Sequence, residues 1–410
     1  MFAPISFLTL TAVWVNLNVM EPAPRFNFRD VLAAPARALS AKQILVMTLS
    51  LLGAFGVYNI FVYLAFAAQG QELGPVWDIY GLFPFARIGF STLIAKGLFA
   101  LGIGASVFTV MLGFFAVSAI NIEAVRGNRF MSPKKAIKFA FNRFGQLFLS
   151  EASIAVFVAF IILLFVLLGL VTRIPYIGEW LYIILFAIPN FIIALFSVFI
   201  IFVFTLTILL LPAVAAAERH GETFTAILET FSTVILQPFR WAGYTAYSIV
   251  AAKVCSFVFA YFTYRAVQFM TWSASLGGGD KIKRLVKSGL ANLPLNNDVT
   301  ESVFSLWPNI GFGVDLSQWA GFPSRSIAAH AMAVMLFIVF ASILGYFFAI
   351  IAAAQARGYV ALRYIKDNYN IANEKPLFFK DEPVNDEVDE SFDDALNSAA
   401  GTTPPEPDVE

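Results

Sequence analysis

The chain has 410 residues, of which 59% are hydrophobic and 13% charged, with a mean hydropathy of +0.76 and 27 basic against 27 acidic side chains. A soluble domain carries about a quarter charged residues, so the composition excludes an ordinary water-soluble domain, and the balanced charge gives no support to nucleic-acid binding. One cysteine, Cys255, and two histidines, His220 and His330, leave no internal disulfide, no thiolate cluster and too few ligands for a bis-histidine haem beside a metal centre, so no cofactor or metal is expected.

In chain order, residues 1–19 are apolar but lack the Lys or Arg that opens a secretory signal. They read either as an upstream extension ahead of Met20 or as a short interfacial segment. Six apolar runs follow, at about 44–67, 97–121, 152–172, 190–215, 246–271 and 328–354. Each is long enough for a bilayer span, which takes about 20 residues at about 1.5 Å rise. The expectation is an all-α membrane protein with six transmembrane helices in a membrane domain over 20–356, a short interfacial segment at 357–380 and a tail at 381–410.

The spans fall into three approximate repeats, about 26–127, 131–221 and 222–358. Each repeat is an amphipathic segment, a span, a turn with Trp, Pro or Gly, and a second span closing on small residues, Arg and Gly. The closing clusters are Ala124-Val125-Arg126-Gly127, Ala217-Glu218-Arg219-His220-Gly221 and Ala356-Arg357-Gly358. The amphipathic segments are 28–42, 132–148 and 222–237. The second carries Ile137, Phe141, Phe144 and Phe148 on one side, with Ser132-Pro133 as its start; the third carries Phe224, Ile227, Phe231 and Ile235. Such helices lie along the interface with their apolar faces in the acyl boundary.

Basic residues set the orientation. Arg25, Arg29, Arg37 and Lys42 precede the first span, Arg126 to Arg143 supply six more between the second and third, and Arg357, Arg363 and Lys366 follow the sixth. The opposite loops near 68–92 and 173–180 hold only Arg87 and Arg173, so both termini are expected in the cytoplasm of a multi-pass inner-membrane protein. The long outer loop, 272–325, holds Lys281, Lys283, Arg284 and Lys287 against this trend. It also holds Gly277-Gly278-Gly279, a basic amphipathic stretch with Ile282, Leu285, Val286 and Leu290, and Trp307 and Trp319 as interfacial anchors alongside Trp77 and Trp180 of the other turns. The Gly run follows no strand, which argues against a phosphate-cradling loop.

Polar residues within spans mark candidate pathways. Lys253 and Arg265 are twelve positions apart in the fifth span, about 18 Å, so both reach toward opposite faces of a core about 30 Å thick. No carboxylate falls inside a span as delimited here. Pro189 and Asn190 open the fourth span and His330 opens the sixth; with Lys253 they form the candidate pathway or anion-binding set. A second candidate set lies at the inner span ends, where Arg126, Glu218, Arg219, His220 and Arg357, with Glu123 beside them, face the interface. Ala100 and Gly104 are spaced for a close helix contact. The tail 381–410 has eleven acidic residues and no basic one, reading as a solvated terminus or a docking peptide for a basic cytoplasmic partner.

The stretch Pro212 to Arg240, and more faintly Glu123 to Phe148, resembles poorly characterised polytopic bacterial inner-membrane proteins, including the membrane region fused to glycerophosphodiester phosphodiesterases. The resemblance implies a bacterial inner-membrane protein; the soluble barrel that carries the phosphodiesterase chemistry has no counterpart here. HExxH, GxSxG and Walker-type motifs are absent. The reading that follows is a non-enzymatic accessory or scaffold subunit of a membrane assembly, in contact with the bilayer and with membrane-protein partners. A small-molecule or lipid transporter is the alternative, and an interfacial lipid-modifying enzyme the third. A transporter requires a polar cavity beside Lys253, a scaffold a filled centre and an exposed apolar face, and an enzyme a pocket around Glu218, Arg219 and His220.

Overall fold

The computed structural model describes residues 24–81, 89–293 and 324–377, and among them every regular element is helical. The segment 1–19, most of the outer loop with Trp307 and Trp319, and the acidic tail lie outside the described residues.

Two short helices, α1 (Phe28–Leu32) and α2 (Ala34–Ala38), precede α3 (Ala41–Ala68). Asn27 caps α1 by accepting from the Arg29 N–H at 2.9 Å, and Pro35 falls in the first turn of α2, so the amphipathic stretch 28–42 is broken at Ala33. After α4 (Leu73–Tyr80), helix α5 (Leu93–Val125) returns along α3. Helix α6 (Pro133–Asn142) begins as the sequence implies, with Ser132 Oγ accepting from Lys135 N and Pro133 at the first helical position. It ends at Arg143, so the expected single helix over 132–148 is two. Phe144 and Phe148 belong to α7 (Phe144–Leu170), where their rings meet Phe108 of α5.

A short turn leads through α8 (Gly178–Leu181) and a π-helical turn, Tyr182–Phe186, into α9 (Ala187–Ala217). The axes of 178–184 and 187–203 differ by 64°. Pro189 accounts for the break: it lacks the N–H that would bond the carbonyl one turn back, and its ring crowds that carbonyl. Helix α10 (Thr223–Leu236) precedes α11 (Pro238–Gly278), Gly279 at φ +60° turns the chain into α12 (Asp280–Ala291), and α13 (Ile327–Asp367) completes the set. The Gly run is thus a helix terminus.

Helices α3, α5, α7, α11 and α13 are long and apolar enough to cross a membrane, and the bent 178–203 pair, counted as one broken span, makes a sixth. Helices α5 and α7 begin or end beyond the apolar runs, so Glu151 lies seven residues inside α7 and Glu123 within α5; the expectation that no carboxylate enters a span holds for the apolar runs and not for the helices.

Helix approach depends on glycines other than those singled out by spacing. Gly104 has open space around it and Ala100 is exposed. The contacts are made by Gly102, where a Cβ would stand 2.6 Å from Phe61, by Gly113 against Ser50 and Met47, and by Gly345 against Thr48 and the backbone of α3. Hydrophobicity is plentiful on every face here, so a small-residue pair does not identify the contacting face. The amphipathic helices show the same preference. Ala136 and Ala140 of α6 and Ala226 and Thr230 of α10 are buried, while Phe141, Phe224 and Ile235 are exposed.

The core lies at one end of the helices, called the base below. There the consecutive residues Phe114–Glu123 of α5, Leu210–Ala217 of α9 and Ala349–Leu362 of α13 are all buried against one another, with α2, α6 and α10 around them. Both chain ends of the described residues meet at the base, where the Phe26 ring stacks on Tyr364 at 4.3 Å.

Candidate functional site

Several polar side chains buried in the base bond across helices. Asn121 donates to Gln43 at 3.1 Å, Trp241 Nε1 to Gln355 at 3.2 Å, and Gln355 in turn to Thr245 Oγ1 at 3.0 Å. Tyr346 and Tyr247 donate to the carbonyls of Pro35 and Leu32, both at 3.1 Å, fastening α1 and α2 to the long helices. The densest set surrounds Arg126.

Arg126 is the C-cap of α5, and its side chain is fully buried. Its Nη2 donates to the Ala217 carbonyl, an orphan acceptor at the end of α9, at 2.6 Å. Nε and Nη2 both reach Glu374 Oε2, at 2.9 and 2.5 Å, and Nη1 lies 3.3 Å from Glu123 Oε1. Glu123 also accepts from Asn128 Nδ2 at 3.4 Å and from the Leu377 backbone at 3.2 Å. Glu374 additionally receives Arg219 Nε at 3.1 Å and the Tyr369 hydroxyl at 2.7 Å. Arg219 Nη2 donates onward to the Lys375 carbonyl. One carboxylate from the chain's last described segment therefore joins the arginines that close α5 and α9.

Local structure delivers Glu374 to this place. Asn368, in the left-handed region at φ 53°, terminates α13 and reverses the chain. Asn370 caps a 3₁₀ turn, Ile371–Asn373, by accepting from Ala372 N at 2.9 Å, and Ile371 is fully buried in the core. Residues 368–377 form a strap across the base. Burial pushes the Glu374 carboxyl up, but the Tyr369 hydrogen bond and the Arg126 and Arg219 guanidiniums outweigh it and hold the group below its ordinary value.

Arg143, at the break between α6 and α7, sends its guanidinium to the carbonyls of Glu218 and Arg219 and lies 5.0 Å over the Phe139 ring. The cost of burying that cation lowers its pKa, opposed by Glu218 and reinforced by Arg126. A second group stands apart around Arg357, buried in α13, with Arg37 and Arg129 as cationic neighbours and Asp30 as counter-charge. Burial, then Arg357 and Arg129, bring the Arg37 guanidinium down to about 10. Further along α13, Lys366 closes on Glu229 of α10 at 2.7 Å.

Of the inner candidates, the structure brings Arg126 and Arg219 together through Glu374, places Glu218 under Arg143 and leaves His220 exposed, its backbone N–H 3.4 Å from Glu218 Oε1. Arg357 belongs to the second group. The pathway candidates do not assemble: Lys253 is on an exposed face of α11, Pro189 is exposed at the bend, Asn190 Nδ2 donates to Tyr182 at 2.6 Å, and His330 Nδ1 stands 3.0 Å from the Ser326 carbonyl at the start of α13. Among the described residues no hydrogen bond or ion pair joins any two of these four. Glu374, Tyr369 and the strap were missed by sequence reasoning; the Asn368-Tyr369-Asn370 stop after a long helix is the signal that could have marked a chain reversal there.

Two cavities stand out among the described residues. One, about 360 Å³, lies between α1 and the start of α11; the other, about 380 Å³, is an apolar gap between α7 and α9 lined by Ile161, Leu164, Phe165, Leu168, Ile193 and Ser197 among others. Neither is lined by any residue of the two candidate sets. Among the described residues no group of His, Cys, Asp or Glu is placed to hold a metal. No known protein family, curated protein or solved structure matches the chain.

Proposed function

We propose that the chain is a non-enzymatic scaffold or accessory subunit of a bacterial inner-membrane assembly. In this reading its three approximate repeats each pair an interfacial helix (α1–α2, α6, α10) with two crossings, and the base and both termini face the cytoplasm. The observation that carries the reading is the contrast between a filled base and the open hairpin of α7 and α9. The base is packed with alanine and knitted by Arg126 and Glu374, whereas only 11% of the most apolar stretch of α7 is buried, against 44% for α13. A surface of that kind accommodates the spans of other membrane proteins beside lipid. The placement of Arg37, Arg126, Arg129, Arg143 and Arg357 at the base supports a cytoplasmic base.

The test is extraction of the tagged chain from its native membrane in mild detergent, after photo-crosslinking from Leu163 and Ile193. The proposal expects one membrane protein at stoichiometric yield, crosslinked to both positions. A chain that carries a stoichiometric small molecule and crosslinks only to lipid overturns it.

A second reading, transport, has one observation in its favour. At the bend beside Pro189, Asn190 Oδ1 is buried without a hydrogen-bond partner, and broken helices with free acceptors form sites in transporters. Asn190→Leu separates the two: it abolishes flux in a transporter and leaves partner yield unchanged in a scaffold.

A further inference from the structure

Helix α11 begins at Pro238, and Arg240, Tyr244 and Tyr247 follow at spacings that place them on one helix face, with Gly243 among them. That face forms one wall of the 360 Å³ cavity; Phe28, Val31 and Leu32 of α1 form the other, with Phe239 at the side. The wall is anchored. Tyr247 donates to the Leu32 carbonyl at 3.1 Å, and behind it Gly358 of α13 admits both Tyr244 and Val31, since a Cβ there would already stand 3.4 Å from Tyr244 Cδ2 and 3.9 Å from Val31 Cγ2. The space itself lies over Gly243, where an added Cβ would meet nothing within 4 Å. At about 30 Å³ for a group of water size, the cavity holds on the order of a dozen methylene-sized groups.

Chemistry and depth define the occupant. Apart from Arg240 the lining is aliphatic, aromatic or glycine. Arg126 and Arg219 share the carboxylates of Glu123 and Glu374, whereas among the described residues no carboxylate forms an ion pair with Arg240; Asp30 of α1 and Arg240 both act on Tyr244, with opposite sign. Arg240 also sits six residues before the apolar run that begins at Ala246, about 9 Å along the helix, which is the headgroup layer when that run fills the hydrocarbon. A planar guanidinium there matches a phosphodiester, and tyrosines below it suit the boundary between headgroup and chain.

We infer that the α1–α11 cavity is a binding site for an anionic phospholipid, its phosphate on Arg240 and the first carbons of one acyl chain over Gly243 between Tyr244 and Leu32. The site is distinct from the lipid annulus because it has walls on two elements and a single cationic rim. It tethers α1 to the membrane surface.

The experiment is native mass spectrometry of the full chain in detergent, titrated with dioleoyl phosphatidylglycerol, with dioleoyl phosphatidylcholine and with inorganic phosphate. The expected result is one saturable phosphatidylglycerol site that phosphatidylcholine fills at least about tenfold more weakly and inorganic phosphate does not displace. Arg240→Gln weakens that site by about tenfold or more, and Arg240→Lys by less. Gly243→Leu, which fills space the fold leaves open, removes the site while the lipid-free thermal midpoint stays within a few degrees of the parent. Phosphatidylglycerol binding that is equal in the parent, Arg240→Gln and Gly243→Leu overturns the inference. So does displacement by inorganic phosphate, which would make the site one for a free anion.

Discussion

The two halves of α9 share one helix and similar residues, yet they live in different surroundings. Leu210 to Ala217 are buried in the base, whereas Ile188, Phe191, Ile192, Leu195 and Phe196 all point away from the protein. The difference comes from what stands beside each half. The lower half meets α5, α10 and α13, which bring alanines and the Arg126 network; the upper half meets little besides α7 and the bend at Pro189. Apolar character therefore places a segment in the membrane, and small side chains with polar contacts between helices decide whether it packs within the protein.

The comparison is broken most severely at Arg126. Arg126→Ala leaves Glu123 and Glu374 facing each other and the Ala217 carbonyl unmet, and removing one partner of a buried pair costs about 3–5 kcal/mol. Thermal unfolding in detergent should show it as a large drop or as failure to accumulate. The loss should exceed that of any exposed hairpin substitution.

Gly345→Leu comes next. Its Cβ would drive into Thr48 and into the backbone of α3, so overpacking of about 1–3 kcal/mol or more is expected, while Gly104→Leu, with open space around it, is tolerated. A midpoint shift for Gly104 as large as that for Gly345 would contradict the assignment of the helix contact.

A leucine pair compares the two regions directly. Leu211→Ala, at 0% exposure, is expected to cost roughly 2 kcal/mol, the low end of the soluble-core range because lipid already shields leucine from water; Leu195→Ala, at 65% exposure, should stay within about 0.5 kcal/mol.

Glu374 supplies the pH arm. Its folded-state value lies below the ordinary 4.5, so the unfolded state binds the proton first as pH falls; the stabilisation is complete above the ordinary value and is lost as pH drops through the folded one. Glu374→Gln should therefore be less stable than the parent near neutral pH, by about 1–3 kcal/mol, with the gap closing below about pH 4.5. A gap that persists into strong acid would show that the carboxylate charge is not what holds the strap.

Much of this architecture is legible in the residues. The apolar runs locate the crossings because the bilayer imposes length and hydrophobicity, and Ser132-Pro133 fixes the start of α6 by local capping chemistry. Arg126 and Arg219 are visible as repeated helix ends. Their partner is not, since Glu374 is 248 residues from Arg126 and only the three-dimensional reversal at Asn368 brings it there. The choice of Gly102 over Gly104 is equally hidden, because both lie in a helix apolar on every side. Lys253 is a different case: a charge in an apolar run draws attention, and it lies on an exposed face of α11.

The most direct test of the account compares photo-crosslinking from the two halves of α9 in native membranes, with the reactive side chain at Ile193 and at Leu211. The account predicts that Ile193 captures one defined membrane protein and that Leu211 yields only crosslinks within the chain. Lipid adducts alone at Ile193, or capture of a partner from Leu211, would contradict it.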